Sequence, residues 1–96
     1  MNGNRILQPS DDGIEVDGDG GTYQANRVVG CGEDGFDVDA TGCTFTGNRV
    51  ERAKQFGFVL EQGGNTLTRN KTSASRVDGL SDASGGTNTL DGNTFR

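Results

Sequence analysis

The sequence predicts an all-β solenoid, a parallel β-helix, and three observations carry that prediction. The first is an internal repeat: residues 12–33, 34–55 and 56–77 align without a gap at a period of 22 residues. Residues 78–96 continue the alignment after one inserted residue, placed most simply at Thr87, and residues 1–11 fall in phase as a partial coil. Repeats of about 20 to 50 residues mark solenoids and propellers, and a propeller blade of four strands needs nearly twice this length. The second is the placement of the 19 Leu, Ile, Val and Phe residues, which recur at fixed repeat positions in a chain otherwise polar enough for disorder. The third is turn chemistry: 17 glycines and one proline, with no helical periodicity sustained over three turns. We read residues 1–96 as one domain of about three full coils with partial coils at its ends.

Each copy divides into three short strands. The first is Gly13-Ile14-Glu15-Val16-Asp17, matched by Gly35–Asp39 and Gly57–Glu61. Alternation with period two places Ile14, Phe36, Phe58 and Leu80 on one face, beside Val16, Val38 and Leu60. A glycine-rich turn leads to the second strand, where Tyr23, Phe45, Leu67 and Leu90 supply the core. An asparagine then recurs at Asn4, Asn26, Asn48, Asn70 and Asn93. Asparagine tolerates left-handed backbone angles, so we expect it to make the bend. Stacked at roughly 4.8 Å, its side-chain amides bond to one another as a ladder. The third strand buries Ile6, Val28, Val50, Thr72 and Phe95. By the same alignment Asp82 falls in the inward column of Leu60, which requires a partner or a deformed last coil.

These motifs, Gly-aliphatic-x-aliphatic followed by Thr-aromatic-x-x-Asn-x-Val, resemble the right-handed parallel β-helix repeats of the pectate-lyase-like superfamily, over nearly the whole chain from Gly3 to Phe95. The superfamily includes pectate lyases, polygalacturonases, mannuronan epimerases, phage tailspikes and carbohydrate-binding modules. The resemblance implies a right-handed coil, an extracellular or periplasmic setting and a polysaccharide partner. It implies no particular activity, because one fold carries many functions. Asp34-Gly35-Phe36-Asp37 is similar to a polygalacturonase element, and Asp11-Asp12-Gly13-Ile14 to that family's paired aspartates, but one coil early instead of one coil late. The chain has no histidine, which removes the Gly-His-Gly of the polygalacturonases and the Asp-Pro-His-Asp of the epimerases. We assign no catalytic residue.

A net charge of −5 argues against nucleic acid, and no apolar run is long enough to span a membrane. Cys31 and Cys43 occupy different repeat positions and read more readily as buried thiols than as a disulfide, which their positions leave open. Two charged columns are the candidate sites. On the first strand Asp17, Asp39 and Glu61 share one outward column, and Glu15 with Asp37 the next. Carboxylates one strand apart suit Ca²⁺, which takes six to eight oxygens, and no other cofactor is expected. They also suit a solvated face, which is favoured, or an acid/base pair of the kind glycosidases use. On the third strand Arg5, Arg27, Arg49 and Lys71 form a basic stripe that a linear polyanion would neutralise, unless acids such as Glu51 compensate it. Thr22, Thr44, Thr66 and Thr89 form a hydroxyl column. With one recurring threonine per coil and no aligned Thr-x-Thr pairs, an ice-binding face is disfavoured.

The reading is therefore a non-catalytic β-helix module with a carbohydrate-related or structural role. The competing classes are a lyase, hydrolase or epimerase fragment and a phage-fibre-like assembly element. Because both ends enter the repeat in the same phase, end-to-end self-association is expected.

Overall fold

The computed structural model describes residues 3–7, 9–83 and 88–96. Its strands follow the chain coil by coil. β1 (Arg5–Leu7) is followed by β2 (Ile14–Val16), β3 (Thr22–Gln24) and β4 (Arg27–Val29). The next coil contributes β5 (Phe36–Val38), β6 (Thr44–Thr46) and β7 (Arg49–Glu51). Then come β8 (Phe56–Leu60), β9 (Thr66–Thr68) and β10 (Lys71–Ser73), and last β11 (Asp78–Asp82) and β12 (Thr89–Asp91). All pairings are parallel, and they build three four-stranded sheets in the orders β11-β8-β5-β2, β12-β9-β6-β3 and β1-β4-β7-β10. The result is a parallel β-helix of about four turns.

Register follows the repeat. Ile14 pairs with Phe36, Phe36 with Phe58, and Phe58 with Leu80. The offset changes from 22 residues at Leu80–Phe58 to 23 at Asn88–Asn65, so one residue is inserted between Asp82 and Asn88. Thr87 itself lies outside the described residues. Phe36, Phe45 and Phe58 are fully buried, with Phe45 edge-on to the other two at 5.8 and 6.0 Å. Tyr23, Ile6, Leu80 and Phe95 are only partly buried against this core. Leu90, expected inside, is 43% exposed: β12 pairs with β9 alone among the described strands, so one flank stays uncovered. Asp82 pairs in register with Leu60, and its Oδ1 accepts a 3.0 Å bond from Asn88 Nδ2.

The asparagine ladder is present, but the bend is made differently from the expectation. The left-handed residue is the one before each asparagine: Gly3, Ala25, Gly47, Arg69 and Gly92 all have positive φ. The asparagines serve as the bonded core of the bend. Asn48 Nδ2 donates to Asn70 Oδ1 at 2.9 Å and to Tyr23 O at 2.9 Å, while Asn48 Oδ1 accepts from the N and Nδ2 of Asn26. Buried amides can stay inside only with such partners. The glycine opening each first strand is fixed by close approach. A Cβ on Gly57 would press on the Thr72 side chain and lie 2.7 Å from Gly79 O, which no relaxation of a flexible side chain relieves.

Candidate functional site

The basic stripe is a true column. Arg5 pairs with Arg27, Arg27 with Arg49, and Arg49 with Lys71, and all four are exposed on the outer face of the third sheet. Like charges one strand apart repel, and the fold offsets the middle two rungs. Glu51 Oε2 lies 3.1 Å from Arg27 Nη2, and its Oε1 lies 3.0 Å from Arg49 Nε. The hydrogen bond from Arg27, helped by the charges of Arg27 and Arg49, holds the Glu51 carboxyl below its ordinary range. Among the described residues no carboxylate pairs with Arg5 or Lys71 in the same way. The column is thus an incompletely neutralised row of cations spaced by one coil.

The acidic side is arranged differently from the outward columns alone. Asp17, Asp39 and Glu61 stay exposed, held in line by Asp39 N donating to Val16 O and Glu61 N to Val38 O. Asp39 also takes a 2.7 Å bond from Gln62 Nε2. Glu15 pairs with Asp37 across β2 and β5. Of these five, Asp37 alone enters the group that converges: Asp12, Asp34 and Asp37 bring carboxylate oxygens within 4.8 Å of one another. Asp12 and Asp34 are placed there by the backbone, since Asp12 Oδ1 accepts from Asp34 N and Asp34 Oδ1 accepts from Phe56 N, both at 3.0 Å. Partial burial, then the charges of Asp12, Glu61 and Asp34, push the Asp37 carboxyl up to about 6. Burial also raises Asp34, against the hydrogen bond from Phe56, and the charge of Asp12 raises Glu33. Such a group eases its crowding by sharing a proton or by holding a cation. Its sequence signal was Asp before the first-strand glycine at 12 and 34, within the two elements similar to those of the polygalacturonases, with Asp37 three residues on.

The second sheet carries the least charge. Thr44 pairs with Thr66 and Thr46 with Thr68, so two Thr-x-Thr units do align, contrary to the expectation of one recurring threonine per coil. The patch is two coils deep, because Gln24 and Asp91 take the outer places of the second column. A second ladder passes beside it: Cys43 N donates to Asn65 Oδ1 and Asn65 N to Asn88 Oδ1, both at 2.9 Å. Cys31 and Cys43 are free, buried thiols.

Three parallel sheets, one coil per repeat and stacked asparagines decide the family. A family model described as the right handed beta helix region matches residues 1–95. The chain belongs to this family. No curated protein and no solved structure matches it. For a right-handed β-helix the absence of histidine still stands against the catalytic motifs considered above. Among the described residues, no helix is long and apolar enough to cross a membrane.

Proposed function

We propose that this β-helix is a non-catalytic module that binds a linear anionic polysaccharide along the outer face of its third sheet. One observation carries the reading: Arg5, Arg27, Arg49 and Lys71 stand in register, exposed, with a single carboxylate set against them among the described residues. Arginine forks match carboxylate and sulfate oxygens, and a chain lying along the solenoid axis meets one cation per coil. Calorimetric titration with polygalacturonate, dextran sulfate and neutral dextran tests it. Binding to the two anionic polymers and none to dextran is the expected pattern. Ultraviolet-absorbing unsaturated products in the polygalacturonate arm would instead make the chain a lyase.

The convergence of Asp12, Asp34 and Asp37 favours a second role beside the first, a Ca²⁺ ion on the acidic side. In this reading Asp37 joins the neighbouring carboxylates of Glu15, Asp17, Asp39 and Glu61 in an acidic strip that draws the ion in. Millimolar Ca²⁺ should then raise the melting temperature by linkage, and Asp37→Asn should abolish the rise.

A further inference from the structure

The charges on the strands of this chain are sorted by face. Of the nine Lys and Arg residues, four form the third-sheet column, four sit on the bends that flank its strands, and Arg96 lies against β10 through its bond to Thr72. Arg69 precedes β10 and Arg76 follows it, while Arg52 and Lys54 follow β7; Arg52, Lys54 and Arg76 share the third-to-first bend with Asp11, Asp12, Glu33 and Asp34, so that bend carries both signs. Twelve of the fourteen Asp and Glu residues lie on the first strand of a coil or on the bends around it, the exceptions being Glu51 and Asp91. The second sheet between them in sequence carries hydroxyls. It is the outward columns of the strands, and not the bend they share, that make one long face of the solenoid acidic and another basic.

We propose that two copies of this chain associate side by side, the acidic first-sheet face of one against the basic third-sheet face of the other. The two faces match in spacing. Both charged columns are read from the same repeat, so their rungs advance along the axis by the same step. A Lys71, Arg49, Arg27 row on one copy meets a Glu61, Asp39, Asp17 row on the next, rung for rung, once the axes are parallel. Because the two faces differ, the contact is heterologous, and the pair keeps one unused face of each sign, the basic one on one copy and the acidic one on the other. The net charge of −5 opposes the approach of two copies at long range, so only the complementary orientation brings them together. Exposed pairs are individually weak and screened by salt. The contact needs several rungs at once and is reversible. This inference concerns the protein alone and does not depend on polysaccharide binding.

Sedimentation of the full chain, without polymer, tests the proposal at about 0.1 M salt, where charges act over about 10 Å, and at about 1 M, where they act over about 3 Å. At the highest soluble concentration the mean mass should exceed the monomer in the first condition and return to the monomer in the second. Arg49→Glu with Lys71→Glu should be monomeric throughout, and so should Glu15→Lys with Glu61→Lys, although the latter moves the net charge from −5 to −1 because each change adds two positive charges. Mixing the two double variants should restore association, since one now offers acidic faces and the other basic ones. All four positions but Glu61 lie within strands and all are exposed, so unchanged melting temperatures check that folding is intact. A wild-type monomer at both salts overturns the proposal. So does assembly that ignores salt, which is the mark of end-to-end stacking of the Asn93 and Asn4 ladders, and so does self-association of the Glu15→Lys, Glu61→Lys variant at the wild-type level.

Discussion

Phe36 and Phe58 stack with ring centroids 4.5 Å apart and planes 4° apart, one coil above the other. Neither ring has any exposed surface. Phe45 closes the group edge-on to both, so the centre of the solenoid is a continuous aromatic column. Removing one member leaves a cavity lined by groups tied into three sheets, which cannot collapse freely. Phe58→Ala should cost roughly 3 to 5 kcal/mol by the lost transfer energy and the cavity together. Denaturant unfolding measures it, and a loss under about 1 kcal/mol would mean that the column is not what holds the coils.

Cys43 stands in for an asparagine. Asn65 Nδ2 donates to Ala40 O at 2.9 Å, and one coil earlier the Cys43 thiol lies 3.5 Å from Gly18 O, the equivalent carbonyl. A thiol is a weak donor where an amide is a strong one. Cys43→Asn should therefore leave stability unchanged or raise it by up to about 1 kcal/mol, whereas Asn65→Cys should lower it by about 1 to 3 kcal/mol, because the backbone N–H of Cys43 loses its acceptor. Thermal unfolding of the two single variants decides between this account and a merely apolar role for the position.

Acid should help this fold over part of the range. The Asp37 carboxyl is raised to about 6 in the native state from an ordinary value of 3.8, so the native protein holds its proton more tightly than the unfolded chain. That contribution is fully present below pH 3.8 and is lost as the pH rises through 6. Asp34 and Glu33 shift in the same direction, while the lowered Glu51 works the opposite way, losing its contribution as the pH falls. Melting temperature should fall between about pH 4 and pH 6 from this group, and Asp37→Asn should flatten that slope. An unchanged slope in the variant would assign the dependence elsewhere.

Much of this molecule is legible in its sequence. The period placed Phe36 against Phe58, Asn48 against Asn70 and Arg49 against Lys71, because a parallel solenoid turns equal phase into spatial contact. What the period cannot convey is what occurs between different phases. Asp12 and Asp34, at one repeat position, meet Asp37 at another, three residues on, and their role depends on how the bend turns the carboxylates back over the strand. The left-handed angle fell to Ala25 and Arg69 instead of the asparagines after them, since the asparagine side chains were already engaged in the ladder. Leu90 shows a third limit: its phase is a core phase, but burial needs a neighbour on each side.

Glu51 is the built-in competitor of any anion on the basic face, since it occupies Arg27 and Arg49 together. Glu51→Gln frees both guanidinium groups and should tighten binding of polygalacturonate several-fold, while Glu51→Ala should do the same without a residual acceptor. Direct titration of the variants measures it. Weaker binding in Glu51→Gln would mean that the carboxylate positions the arginines for the ligand.

The central claim is that the third-sheet cations form the binding surface, and its most direct test is the salt dependence of polygalacturonate affinity in the wild type and in Arg49→Gln with Lys71→Gln. Each engaged cation contributes a little under one unit to the slope of log affinity against log salt. The wild type should give a steep negative slope, and the double variant one shallower by about 1 to 2 units with weaker binding. An affinity that does not respond to salt, or a slope identical in the two proteins, would contradict the account.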